Sequence, residues 1–238
     1  MSKISKILAR QVYDSRGNPT IEAEVFSKNI SATAICPSGA STGTYEAFEK
    51  RDKNNKKFLG KSVLIAVNLI NTIISKKLKN QNVHNQEIID TLLINLDGTK
   101  QKNKLGANAI LSVSMAAKKL SAKLKKLPLY KTFLVKKNFQ LPYPLMNIIN
   151  GGAHANNGLR IQEFMIRPDK AKSFHEAMRI CFLVINNLKN LIKIKKLSTS
   201  VGDEGGFAPM INNNEQALDL IVSAIKKSGF VNGKEVSI

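Results

Sequence analysis

The chain has 238 residues, 43% of them hydrophobic, which is enough to build one large or two modest cores and excludes a disordered chain. No apolar run approaches the roughly 18 residues that a membrane span requires. The opening MSKISKILARQ also lacks the unbroken apolar stretch of a secretory signal, so the expected compartment is the cytoplasm. The net charge of +20 is almost all lysine, spread from Lys3 to Lys234 among asparagines and isoleucines. That spread reads as composition bias rather than a nucleic-acid patch, so DNA is not an expected partner, although a positive field favours the approach of a small anion. Cys36 and Cys181 belong to no Cys-x-x-Cys pattern and read as ordinary thiols.

In chain order, the first elements are strands. Ile21, Ala23 and Val25 fall on one face of TIEAEVF, and a polar SKN separates this run from ISATAI, which predicts a hairpin or short meander. From Ser62 the period becomes helical, with Val63, Val67, Ile70 and Ile74 on one stripe. Ala109, Val113, Ala116, Leu120 and Leu124 repeat it. Strands followed by helices make the first part α+β. Periodicity fades through LPLYKTFLVKKNFQLPYP, where Pro128, Pro142 and Pro144 cluster, so a first domain is placed at 1–133 and a second at 140–238. In the second, YPLMNIIN and IQEFMIRP read as short buried strands. A helix is predicted from about Ser173 to Lys196 with Ala177, Cys181, Val184, Leu188 and Leu191 inward. Another runs from about Glu215 to Lys227 with Leu218, Ile221 and Ile225 inward.

Three polar, glycine-bearing loops adjoin these strands. CPSGASTGTYEAFEKRD, residues 36–52, has Ser38, Ser41, Thr42 and Thr44 in a breaker-rich stretch. It reads either as a turn capping a helix that starts near Tyr45 or as a lid that closes on a ligand; no Gly-Lys-Ser/Thr follows, so it is not a P-loop. GGAHANNGLRIQEFM, residues 151–165, sets His154 nine residues before Glu163 and places Gln162 beside that carboxylate in a strand, so one of the two faces inward. A carboxylate there is costly unless it is paired or holds a cation or substrate. GDEGGFAP, residues 202–209, carries Asp203 and Glu204 before two glycines, which alone would be an exposed acidic turn. Together the loops match the way barrel enzymes gather residues on one face.

The segments YDSRGNPT, PSGASTG, LDGTKQKNKLGANAIL, INGGAHANN, IQEFM and VGDEGGFAP stand in the order and spacing of the enolases, and the chain resembles an enolase of bacterial type from Lys3 to about Gly233. The resemblance implies an α+β N-terminal domain followed by the beginning of an α/β TIM-like barrel whose opening strands depart from simple βα alternation. It implies the glycolytic dehydration of 2-phosphoglycerate to phosphoenolpyruvate with two Mg²⁺, a cytoplasmic homodimer in the full-length form, and the RNA-degradosome or cell-surface association described for the family. By motif position, Glu204 corresponds to the proton donor, His154, Gln162 and Glu163 to substrate-site residues, and Ser41 to the loop serine on the second Mg²⁺.

Family members are nearly twice this long, and the resemblance places the C2 base and the remaining Mg²⁺ carboxylates in barrel strands after GKEVSI. Only about two of eight barrel strands are therefore expected here. The reading leaves a lyase, a non-catalytic truncated remnant, and a split-enzyme subunit needing a partner chain as alternatives, with a basic polyanion-binding protein as a further class.

Overall fold

The structure is a computed structural model that describes residues 2–39, 43–133, 140–202 and 204–238. The backbone separates into two compact units, Met1–Lys137 and Asn138–Ile238.

The first unit begins with the antiparallel meander that the alternation predicts: β1 (Lys6–Tyr13), β2 (Pro19–Ser27) and β3 (Ile30–Cys36), in that order. Ile21, Ala23 and Val25 are fully buried and pair across β1 with Gln11, Ala9 and Ile7, so one face of the sheet is apolar. Helices α1 (Leu64–Leu69), which runs through a π turn at Ile70–Ile74 into α2 (Ser75–Leu78), and α4 (Ala107–Leu124) pack on the sheet, and α3 (Gln86–Asp97) packs on α2 and α4. The stripe Val63, Val67, Ile70 and Ile74 is buried as expected, and α4 lays Ala109, Val113, Ala116 and Leu120 against β2 and β3, with Leu124 only half-buried at its end. Helix α3 is an addition to the sequence reading. Asn85 caps it by accepting from the Ile88 N–H at 3.2 Å, and Ile89 and Leu93 are its buried stripe.

No helix starts near Tyr45. That residue is 93% exposed in a turn closed by the Glu46 N–H to the Gly43 carbonyl at 3.2 Å, with the Glu46 carboxylate accepting from the Gly43 N–H at 2.9 Å. The backbone beyond it spends its hydrogen bonds on distant partners: the Phe48 N–H donates to the Gln101 carbonyl at 2.7 Å and the Ala107 N–H to the Phe48 carbonyl at 2.8 Å. A segment whose amides are engaged in this way cannot close i to i−4 rings. The helix starts instead at Leu64, where the Asp52 carboxylate accepts from the Leu64 and Ile65 N–H groups at 3.2 and 2.9 Å.

The loop after α3 is organised by a single carboxylate. Asp97 is 2% exposed and accepts from the Thr99 N–H at 3.0 Å, the Leu105 N–H at 2.7 Å and the Thr99 hydroxyl. Desolvation alone would raise its pKa, but these hydrogen bonds and Lys102 outweigh it and leave the carboxyl below its ordinary value. Asp97→Ala is expected to destabilise the first unit by about 2–3 kcal/mol, because the Leu105 N–H loses its acceptor. The depressed pKa means that this stability is present above the unfolded value of about 3.9 and disappears as pH falls through the folded value. Urea unfolding of both proteins should therefore show a gap at pH 7 that narrows below about pH 4; a pH-independent gap would contradict the charged-cap account.

In the second unit, β4 (Met146–Asn150) pairs antiparallel with β5 (Glu163–Ile166), and Phe207 lies on the other edge of β4 in a parallel bridge to Ile149. Two bonds hold that bridge, from the Phe207 N–H to the Ile148 carbonyl and from the Asn150 N–H to the Phe207 carbonyl, both 2.9 Å. Behind the strands pack α5 (Phe174–Ile194) and α6 (Asn214–Lys227), capped by Ser173 and Asn213. Their buried stripes close one core on Ile148, Ile149, Phe164 and Ile166. Ala177, Cys181, Val184 and Leu188 are buried as expected in α5, whereas Leu191 lies at its margin beside Ile192. In α6 the expected Leu218 is 37% exposed: the inward face is centred on Ala217, Leu220, Ile221, Ala224 and Ile225, one position out of phase with Leu218.

Candidate active site

A bulge decides what the second unit presents. Across β4 and β5, Asn147 pairs with Met165, Ile149 with Phe164 and Asn150 with Glu163, so β4 takes three steps where β5 takes two. Ile148 is the extra residue. Directly paired residues share a face, which puts Asn147, Asn150, Glu163 and Met165 on one side and Ile149 and Phe164 on the core side. In an unbroken strand, residues three apart would face opposite ways. Both asparagine amides instead converge on Gly206, where a Cβ would stand 2.4 Å from Asn150 Oδ1 and 3.1 Å from Asn147 Oδ1.

Two loops close over this face. The first leaves β4 through Gly151, makes a tight turn at Gly152–His154, and is held by the Gly151 N–H to the Gln162 carbonyl and the Gly152 N–H to the Leu159 carbonyl, both 2.9 Å. The Asn157 amide ties it down, donating to the Asn150 carbonyl at 3.0 Å and the Pro209 carbonyl at 3.2 Å. The second loop carries Glu204 and is closed by the Gly202 N–H to the Gly206 carbonyl at 2.8 Å. Gly202 sits so close that a Cβ there would lie 2.5 Å from the His154 carbonyl oxygen.

The result is a three-residue cluster. His154 Nδ1 lies 3.6 Å from Glu163 Oε1 and 3.5 Å from Glu204 Oε2, and one candidate ligand atom from each residue falls within 4.8 Å of the others. These separations are too long for good hydrogen bonds, and among the described residues the buried Nδ1 has no hydrogen-bond partner. The side chains are graded in exposure: 7% for His154, 28% for Glu163 and 41% for Glu204. The Glu163 carboxyl is held above its ordinary pKa, first by desolvation and then by its hydrogen-bonding contact with Glu204 and that group's charge, with His154 pulling the other way.

Of the residues expected at a site, His154, Glu163 and Glu204 are brought together. Gln162 is not in this cluster: its side chain is exposed, and Gly152 is the residue whose Cβ would meet it, 2.7 Å from Cγ. Ser41 lies outside the described residues. Asn147, which donates to Glu204 Oε2 at 3.3 Å, and Asn150, fully buried with both amide atoms unpartnered among the described residues, are further polar residues of the same face. Sequence reasoning missed both because NIIN reads as a plain buried strand.

Comparison with known proteins places both units. Residues 4–133 match the enolase N-terminal domain, and residues 138–238 match the enolase C-terminal TIM barrel domain. A curated relative named Enolase from Pelagibacter ubique (strain HTCC1062) is 81% identical over 238 residues, covering 100% of this chain. The chain spans 57% of that relative's length. The architecture is thus an α+β N-terminal domain followed by part of an α/β barrel, and the chain belongs to the enolase family.

Proposed function

We propose that the chain supplies the acid side of a glycolytic hydro-lyase site that interconverts 2-phosphoglycerate and phosphoenolpyruvate in the cytoplasm, its two units, 1–133 and 140–238, acting within a homodimeric full-length form. The observation that carries this reading is the placement of His154 Nδ1 3.6 and 3.5 Å from the carboxylates of Glu163 and Glu204. Dehydration removes the C2 proton, forms the C2–C3 double bond and expels the C3 hydroxyl, which leaves poorly as hydroxide. Glu204, the most exposed of the three, donates the proton that makes it leave as water. Glu163, whose carboxyl desolvation holds above its ordinary pKa, lines the substrate site with Glu204, His154 and Gln162.

The family resemblance implies Mg²⁺, which supplies positive charge to the anionic intermediate when bound. The three clustered side chains do not fit it. Mg²⁺ takes oxygen ligands at about 2.0–2.1 Å in an octahedron, with neighbouring ligand atoms about 2.9 Å apart. Here one ligand is an imidazole nitrogen and the measured separations are 3.5 and 3.6 Å. The expected Mg²⁺ ligand of this chain is Ser41, and the resemblance assigns the C2 base and the metal carboxylates to later barrel strands. Purified residues 1–238 incubated with 2-phosphoglycerate and Mg²⁺ are therefore expected to release no phosphoenolpyruvate. Turnover by these residues alone would overturn the division of acid and base.

A further inference from the structure

We infer that Asn150 is a positioning residue of the site: its side-chain amide, held between the two glycines that bracket Glu204, sets how far the Glu204 loop stands from His154. The effect on turnover rests on the acid role proposed for Glu204; the geometric part stands without it. Asn150 is fully buried at the end of β4. A Cβ at Gly202 would stand 2.8 Å from Asn150 Cβ and 3.0 Å from its Cγ, and a Cβ at Gly206 would stand 2.4 Å from its Oδ1, so both feet of the loop rest on one side chain. The feet are joined by the Gly202 N–H to the Gly206 carbonyl at 2.8 Å. The same residue anchors the other loop. Its carbonyl accepts from the Asn157 amide at 3.0 Å, and its N–H donates to the Phe207 carbonyl at 2.9 Å, just beyond the second glycine. Asn150 thus ties the loop that carries His154 to the loop that carries Glu204.

A residue that merely filled this space would be apolar, because a buried amide costs stability unless it is hydrogen-bonded. Among the described residues neither Oδ1 nor Nδ2 of Asn150 has a hydrogen-bond partner. Departures of this kind from core chemistry concentrate at functional sites. The amide is flat, and its oxygen is smaller than a methyl group, so it enters the gap against Gly206 that the branched end of a leucine would overfill. Asn147 plays a different part. Its Oδ1 lies 3.1 Å from the same Cβ position at Gly206, but its Nδ2 donates to Glu204 Oε2 at 3.3 Å, whereas Asn150 acts on Glu204 through the backbone of the loop. Asn150 also pairs directly with Glu163 across the strands, which puts it beside the third member of the cluster. Misplacing a reacting group by about 1 Å costs about 10²-fold in rate, so a residue that fixes the 3.5 Å approach of Glu204 to His154 shows itself in kcat.

Asn150→Ala removes the amide without adding an atom, and two readouts test it. The first is amide hydrogen exchange in the 238-residue chain, comparing the Gly202 and Gly205 N–H groups, which donate to the Gly206 and Gly202 carbonyls at 2.8 and 3.1 Å, with the Val184 N–H in the buried stripe of α5. The loop amides are expected to speed up about tenfold or more beyond any change at Val184. A role in packing alone would speed all three together, and that result would overturn the inference, as would loop amides that do not change. Gly206→Ala keeps the test decisive if Asn150→Ala loosens the whole unit: its Cβ takes the place of Oδ1, so it should disturb the loop amides beside Asn150 and disturb them less in the Asn150→Ala background. Equal disturbance in both backgrounds would also overturn it. The second readout is 2-phosphoglycerate turnover by residues 1–238 continued through the remaining barrel of the Pelagibacter ubique relative, where Asn150→Ala is expected to lower kcat about tenfold or more with KM within about threefold. An unchanged kcat would refute the positioning role while leaving the acid role of Glu204 in place. Absence of turnover in the unsubstituted protein would count against the dehydration reading instead, and the exchange rates would still decide what Asn150 holds.

Discussion

Glu204→Gln, in a polypeptide where residues 1–238 continue through the remaining barrel of the Pelagibacter ubique relative, is expected to lower kcat for 2-phosphoglycerate dehydration by about 10²- to 10⁴-fold, the contribution of a positioned general acid. The amide keeps the size and hydrogen-bonding reach of the carboxyl but has no proton to give. In the proposed division of roles the C2 proton leaves without Glu204, so its exchange with solvent deuterium should continue while loss of hydroxide slows. Loss of exchange and elimination together would mean that Glu204 holds the substrate rather than protonating its leaving group. The matching Asn147→Ala change removes only the 3.3 Å amide contact to Glu204 Oε2, so its effect should be smaller than that of Glu204→Gln.

Gly202→Ala is expected to push apart the two loops that form the site in the second unit. A Cβ there would be 2.5 Å from the His154 carbonyl oxygen and 2.8 Å from Asn150 Cβ, and the first of these is backbone that cannot rotate away. The two site loops must part, at a cost of about 1–3 kcal/mol for overpacking. Because His154 and Glu204 sit on those separate loops, the same movement breaks their 3.5 Å approach. Urea unfolding should show a lower midpoint for the second unit, with the Asp97-dependent transition of the first unit unchanged. An unchanged midpoint would mean that the loops are not packed through this glycine. Gly205 provides the contrast, since nothing among the described residues lies within 4 Å of its Cβ position, whereas its φ of +83° resists substitution.

Much of the fold was legible where one residue pattern governs one element. Ile21, Ala23 and Val25 alternate because β2 has one dry face, and Val113, Ala116 and Leu120 recur because α4 has one buried stripe. Legibility failed where tertiary pairing sets the conformation. The stretch after Tyr45 stays non-helical because Phe48 pairs with Gln101 and Ala107, partners that no local window contains. Leu218 misled because its neighbours Ala217 and Ala224 occupy the buried centre of α6, a place that a count of large apolar residues assigns to leucine.

The site was legible in its members rather than its geometry. Motif resemblance singles out His154, Glu163 and Glu204, whereas residues 202–209 alone read as an exposed acidic turn and Glu163 alone reads equally well as an ion-pair partner. What joins them is the register of β4 and β5, where the Ile148 bulge turns Asn147 and Asn150 to the Glu163 face. Nothing in NIIN announces a bulge. The glycines that permit close packing, Gly151, Gly202 and Gly206, were visible as breakers, but the atoms they make room for are remote in sequence.

The most direct test of the central claim, that residues 1–238 carry the acid side of an enolase site, is the turnover of 2-phosphoglycerate by this chain continued through the relative's remaining barrel. Formation of phosphoenolpyruvate by that protein, and its loss in the Glu204→Gln form, is the expected result. A folded chimera that makes no phosphoenolpyruvate, or one that makes it equally well with glutamine at 204, would contradict the assignment.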